Sequence, residues 1–258
     1  MAKKYGTLRL KKAGDIQIVT MDRPARMNAL NVEMARNLRE AFENIQWDES
    51  VKVVILSGSG EKSFCAGLDL KERSRMSKEE ILISRERDII PLFHDLGTFS
   101  KPIIGAINGV ALGGGGELAL VCDICIATPH ARFGQTEIRW GMIPSAGGCQ
   151  RLRLITGMAV AKELILTGKV IEAEQAHALG IYNRVVVPED LMTEALSMGN
   201  EMAQHSSVAL KQAKKVLDFG AGLTPSLAFD LEASKECFYK GQAMDGHKSF
   251  KPGTEEEN

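Results

Sequence analysis

The run from Pro102 to Glu117 constrains this chain more than any other, because Gly113, Gly114, Gly115 and Gly116 stand in a row ahead of an apolar segment, Leu118 to Val121. A glycine loses more backbone freedom on folding than any other residue, so four together burden a fold that has no use for them. They are useful where backbone must approach other atoms closely, or where a bare peptide N–H must face a cavity. Ahead of them Ile103 to Ile107 predicts a buried strand and a sharp turn; behind them Leu118 to Val121 predicts a short helix, with Glu117 on its first turn. The stretch reads as the floor of an acyl-binding pocket: a peptide donor for a developing negative charge, and a carboxylate one turn away.

Around this stretch the pattern is that of an α/β chain. Thr7 to Met21 alternates as a hairpin about Ala13-Gly14-Asp15, and Asn31 fits the N-cap of a helix through about Ile45, with Met34, Leu38, Phe42 and Ile45 on one face. Val51 to Leu56 and Asp123 to Ala127 are continuous apolar runs, as expected of strands buried on both faces. Ser77-Lys78-Glu79-Glu80 is a capping box opening a helix that Pro91 should kink. Further helices are expected over 150–155, 159–166 and 172–179, the last closed by Gly180, and Val185 to Val187 is a last short strand. From Glu189 every segment is helical in pattern (189–204, 207–219 and 225–240). This predicts an α/β core over 1–188, a helical portion over 189–250 and a disordered acidic tail over 251–258.

Charge and cysteine content narrow the function. With 32 basic and 33 acidic residues, net −1, no global field points to nucleic acid or a membrane surface, and no apolar run is long enough to span a bilayer. Met1 to Tyr5 lacks the apolar core of a signal peptide, and five cysteines, an odd number, argue for reduced thiols; the expected compartment is cytoplasmic. The five histidines form no H-E-x-x-H, and no Walker A or G-x-S-x-G pattern is present, so no metal site is expected. Cys122-Asp123-Ile124-Cys125 has C-x-x-C spacing but stands alone at the start of a buried strand, where packing is the simpler role.

Three constellations remain. Glu117 and Glu137 are separated by one helix, one strand and the loop Arg132 to Thr136, a spacing that can return the chain to the same cavity mouth. Two carboxylates facing one pocket suit general acid–base work, because proximity drives their pKa values apart. The plain alternative leaves Glu117 complementing a helix N-terminus and Glu137 on the surface. In Phe64 to Leu70, Ala66-Gly67 allows close backbone approach and frees the N–H of Leu68, which with the N–H of Gly114 could form an oxyanion hole; the alternative is an ordinary tight turn. Finally, Gly114-Gly115-Gly116-Glu117-Leu118-Ala119 matches the dinucleotide fingerprint, but the strand Asp123 to Ala127 ends without a carboxylate and the intervening helix is short for a crossover.

Taken in order, Arg23-Pro24 with Asn28-Ala29-Leu30, Phe64 to Leu70, Asn108 to Ala119, Phe133 to Glu137 and Gly141 to Leu152 resemble the crotonase (enoyl-CoA hydratase/isomerase) superfamily over about residues 8 to 250. The resemblance implies a spiral of repeated strand–strand–helix units with a helical C-terminal trimerisation portion, assembling as a homotrimer or a dimer of trimers. It implies hydration of a 2-enoyl-CoA thioester, with coenzyme A as part of the substrate and no separate cofactor. Leu68 and Gly114 would hold the thioester oxygen through their N–H groups; Glu117 would act on water and Glu137 deliver a proton to Cα. Arg26, Ala66, Asp69, Leu70 and Lys71 fall where the family lines its CoA path. A double-bond isomerase or carbon–carbon lyase of the same superfamily is the alternative, although its isomerases can manage with one glutamate, at the Glu137 position. A non-catalytic or nucleic-acid-binding relative is disfavoured by the balanced charge. The chain departs from the family at Ser145 and Cys149, where Gly and Thr are common, and in the acidic Glu255-Glu256-Glu257. The charged segment 71–90 (Arg73, Arg75, Arg85, Glu86, Arg87) is either a solvated helix face or a hint of a polar acyl group.

Overall fold

The computed structural model describes residues 5–220. Its backbone builds two sheets. The larger has the strand order β1 (Leu8–Ala13), β2 (Ile16–Met21), β3 (Val53–Gly58), β5 (Ile103–Ile107), β7 (Ile124–Ala127), β10 (Arg184–Val185). The smaller has the order β4 (Ser63–Cys65), β6 (Val110–Leu112), β8 (Arg132–Gly134), β9 (Val170–Glu172). β1 and β2 form the expected antiparallel hairpin, with Gly14 at φ +60° in the turn. β2, β3, β5, β7 and β10 then run parallel, with Ile55 opposite Ile104 and Ile104 opposite Ile124. Such strands are covered on both faces, which is why they read as unbroken apolar runs rather than alternating ones.

Three strands of the larger sheet, β3, β5 and β7, are each followed by one in the small sheet and then by helix. β3–β4 leads to α2 (Leu70–Arg73), α3 (Lys78–Ser84) and α4 (Ile90–Gly97); β5–β6 leads to α5 (Gly114–Val121); β7–β8 leads to α6 (Gly148–Thr156) and α7 (Met158–Thr167). The preceding helix α1 (Val32–Trp47) and the later α8 (Ala173–Ala178), α9 (Leu191–Ala203) and α10 (Ser207–Gly220) complete the described chain. The repeated strand–strand–helix unit is the expected spiral. The small-sheet strands are the part that the sequence reading did not separate from loop: the turn after Ile107 contains β6, and the loop Arg132 to Thr136 contains β8. Three-residue strands are too short for a period of two to show.

Local signals account for the helix ends. Asn31 accepts the Met34 N–H at 2.9 Å, and Ser77 and Glu80 close a reciprocal capping box. Gly180, at φ +78°, gives its N–H to His177 O while Ile181 N–H reaches back to Ala176 O, the two bonds of a Schellman closure. Two expectations shift. The helix after the glycines starts at Gly114 rather than Leu118, so three glycines lie inside its first turn. The helix that contains Pro91 is not one continuous α-helix. Residues Arg85–Ile89 widen into a π-helical turn, with the Ile90 N–H bonding Arg85 O, and Pro91 falls in the first turn of α4, where a missing N–H is tolerated.

The core lies on both sides of the larger sheet. One face packs against α1, α4 and α5 through Met34, Leu38, Phe42, Leu92, Phe93 and Leu118. On the other, Ile16, Ile18, Val53, Ile55, Ile104 and Ile126 meet Leu191 and Ala195 of α9. The composition switch near 188 therefore marks a change of element type, and α9 shares the core of the sheet. α10 is anchored where the Lys214 ammonium meets Asp123 at 2.7 Å and Lys101 O at 3.2 Å. The expected helix over 225–240 and the tail over 251–258 lie outside the described residues. No helix among the described residues is long and apolar enough to cross a membrane.

Candidate active site

Three neighbouring parallel strands of the small sheet, β4, β6 and β8, end on the same edge, and the candidate residues follow those ends. β4 leads into Gly67-Leu68, β6 into Gly113 to Glu117, and β8 into Gln135-Thr136-Glu137. The edge outside the carboxyl ends of parallel strands is where open α/β sheets hold ligands, because loops there converge without closing over one another.

Asn28 fixes the first of these segments. It sits in the left-handed region at φ 52°; its side chain accepts the Arg23 N–H at 3.0 Å and donates to Ser59 O at 3.0 Å and Ser63 O at 2.7 Å. This holds Leu30 against the 67–69 segment, where Leu30 N–H meets Gly67 O at 2.7 Å and Asp69 N–H meets Leu30 O at 3.0 Å. Because both flanking groups bond toward Leu30, the Leu68 N–H points to the opposite side. There it faces Gly114: a Cβ on Gly114 would stand 3.7 Å from the Leu68 nitrogen. Gly114 opens α5, so its own N–H has no acceptor within the helix and lies at the positive end of the helix dipole. Gly67, at φ +100°, must be glycine, since a Cβ would meet Leu112 O at 2.8 Å.

The two glutamates are both buried, Glu117 at 5% and Glu137 at 8% exposure, which removes the reading of Glu137 as a surface residue. They share one site in contrasting environments. Glu117 Oε1 accepts the N–H of Ala146 at 2.7 Å and that of Gly148 at 3.0 Å. Both Glu137 oxygens are buried without a hydrogen-bond partner, and one lies within 3.4 Å of where a Cβ on Gly113 would stand. Burial, with the charge of Glu117 adding to it, pushes the Glu137 carboxyl well above the usual carboxylate range, against smaller opposing pulls from its own peptide N–H and from Arg85. The two carboxyl groups feel one another's charge in unlike surroundings, one bonded by peptide N–H groups and the other pushed toward its protonated form, the kind of contrast that suits an acid–base pair.

The remaining expected residues sit as follows. Arg26, Asp69 and Lys71 line one cleft of about 510 Å³ with Arg23, Arg75 and Asn31. Ala66 and Leu70 flank the Gly67-Leu68-Asp69 segment, half-buried. The Asp69 carboxylate caps α2 through the Glu72 N–H at 3.1 Å and pairs with Arg23 at 2.8 Å, so its oxygens serve the loop itself. The sequence reading missed Asn28 as the staple of this loop. It also missed Asn108, which accepts the Gly58 N–H at 3.2 Å and donates to Gly60 O at 2.6 Å. Both fall inside the motifs that carry the family resemblance, and that was their signal. Cys122, at the end of α5, and Cys125, in β7, bond to carbonyls of α5, Leu118 O and Ala119 O, as packing thiols do.

The sequence matches the enoyl-CoA hydratase/isomerase family over residues 11–255. The chain belongs to that family. Among its relatives, a short-chain-enoyl-CoA hydratase of Clostridium acetobutylicum is 40% identical over 245 residues, 93% of each chain. A crotonyl-CoA hydratase of Syntrophomonas wolfei is 33% identical over 250 residues, 95% of each chain. Among solved structures, an enoyl-CoA hydratase from Bacillus anthracis superposes with a TM-score of 0.81 at 34% identity, covering 90% of this chain and 89% of that one. The family's fold is therefore this chain's fold.

Proposed function

We propose that this chain is an enoyl-CoA hydratase, adding water across the 2,3 double bond of a 2-enoyl-CoA thioester. The observation that carries the reading is the unlike pair: Glu117, held by two peptide N–H groups, and Glu137, its carboxylate oxygens buried without a partner and its pKa pushed up by burial and by the charge of Glu117. The thioester oxygen lies between the N–H groups of Leu68 and Gly114, which stabilise the enolate that forms when water attacks C3. Fixed donors of this kind contribute about 2.7–4 kcal/mol each to the transition state. Glu117 takes a proton from the attacking water as the C3–O bond forms, and Glu137 gives its proton to C2. One water is consumed, and the proton gained by Glu117 balances the one lost by Glu137. This chemistry asks for no cofactor beyond the coenzyme A that the substrate carries.

Arg26 and Lys71 receive the CoA portion along the cleft they share, with Ala66 and Leu70 meeting it in the adjoining segment and Asp69 holding the loop in place. The chain works in the cytoplasm as a homotrimer or a dimer of trimers. Exposed apolar side chains on α6, α7 and α10, among them Leu154, Met158, Leu166 and Leu217, support such assembly, and light scattering at micromolar concentration tests it. Glu117 standing beside Glu137 favours hydration over double-bond isomerisation, and product mass distinguishes the two: plus one water, or unchanged.

The direct test is Glu117→Gln and Glu137→Gln, assayed by loss of the conjugated-thioester absorbance of crotonyl-CoA. Each should slow turnover by about 10²–10⁴-fold while butyryl-CoA still binds. Wild-type turnover in either variant defeats the assignment.

A further inference from the structure

The charged segment 71–90 is not uniformly solvated. Arg75, Glu86 and Arg87 are exposed, but Arg73 and Arg85 are 4% and 5% exposed. Arg73 closes α2, one turn beyond Asp69 and the Leu68 N–H. Its Nη1 is buried without a hydrogen-bond partner, and among the described residues no carboxylate forms an ion pair with it. Glu72 beside it instead accepts the Val32 N–H at 3.0 Å. The Glu72 charge still reaches the guanidinium without contacting it, and a buried guanidinium with no direct hydrogen-bonded partner on Nη1 is an unfavourable arrangement in a protein interior. Burial lowers its pKa to about 9, with Arg85 adding to the effect, so it is still a cation at neutral pH.

Arg85 connects this cation to the glutamates. It lies in the π-helical turn and hydrogen-bonds Ser145 Oγ; Ser145 directly precedes Ala146, whose N–H holds Glu117. The Arg85 charge also acts on Glu137. Between α3 and the segment after Glu137, Ile81 and Met142 make a small apolar cluster with Trp140 and Met76. The Arg85–Ser145 contact thus ties the arginine-bearing segment to the turn that holds Glu117, with the Ile81 and Met142 cluster alongside, and a simple alkyl tail would give the Arg73 Nη1 nothing to bind.

We infer that the acyl pocket takes an enoyl thioester whose far end carries a carboxylate, received by the buried guanidinium of Arg73 with Arg85 behind it. The inference rests on the hydratase reading for the thioester and its double bond. The carboxylate preference is separately measurable, because binding of saturated esters requires no turnover. A planar fork of N–H donors matches a carboxylate in two parallel bonds, which a lysine in that place could not do.

The test uses pairs of equal chain length. Glutaconyl-CoA is compared with 2-pentenoyl-CoA, and 2-hexenedioyl-CoA with 2-hexenoyl-CoA, by kcat/KM; glutaryl-CoA is compared with pentanoyl-CoA by calorimetry. In at least one pair the acidic ester should be favoured by ~10-fold or more, and glutaryl-CoA should bind more tightly than pentanoyl-CoA. Arg73→Met should collapse that ratio, and Arg73→Lys should restore part of it. Neutral esters favoured or equal in both pairs, or an unchanged ratio in Arg73→Met, overturns the inference and leaves the hydratase reading intact. If Arg73→Met does not fold, the wild-type ratios and Arg73→Lys decide. If no ester is hydrated yet glutaryl-CoA still binds the tighter, the hydratase reading falls and the carboxylate preference stands.

Discussion

Glu117 and Glu137 are chemically identical side chains whose roles diverge because of what surrounds them. Donors for Glu117 come from Ala146 and Gly148, 29 and 31 residues further along the chain. Glu137 has none, and its raised pKa has a consequence for stability. A carboxyl that holds its proton more tightly when folded stabilises the fold fully below its unfolded pKa, about 4.3, and loses that contribution as pH rises through its folded value. Urea midpoints of Glu137→Gln should therefore gain on wild type as pH rises from roughly 4 to 8. A pH-independent difference would show that burial leaves this carboxyl unperturbed. Gly148 gives a second test, since a Cβ there would stand 2.9 Å from Glu117 Oε1 and 2.8 Å from the Pro144 Cβ. Gly148→Ala should cost about 1–3 kcal/mol of stability and lower kcat for crotonyl-CoA, by displacing the carboxylate from its donors. That both residues are glutamates was legible, and the family motifs marked them as a pair. The resemblance also split their roles, but the physical contrast between them was not legible, because the donors that hold Glu117 come from a distant turn.

At the scale of elements, caps were the most legible features, because a cap is a bond between residues three or four apart. Ser77→Ala removes one side of the capping box and should lower stability by about 0.5–2 kcal/mol in thermal melts. The glycine run was legible as close approach but not as to what. A Cβ on Gly115 would lie 1.8 Å from Cys65 O, so α5 sits directly against β4. Gly115→Ala should lose about 3 kcal/mol or more and yield little folded protein in denaturant titrations, unless the backbone at Cys65 can move. β4, β6 and β8 were illegible for the converse reason: their short pairings are stabilised only by neighbouring strands.

The whole molecule closes around Asp123, which accepts the Ile103 N–H at 2.7 Å and meets the Lys214 ammonium at 2.7 Å, joining α10 to the central sheet. Lys214→Met should cost about 1.5–3 kcal/mol, read from urea midpoints; an unchanged midpoint would show α10 to be held by packing alone. By itself the sequence determined the hairpin, the doubly buried strands, the helix caps and, through the order of its motifs, the family. Each of these is written in residue spacing or in side-chain bonds close along the chain. Only the tertiary structure decided that three short strands end on one edge, that one glutamate is solvated by peptide N–H groups while the other is not, and that Arg73 is buried and Arg75 exposed. Those are matters of dielectric environment and of partners tens of residues apart, and no local pattern carries them.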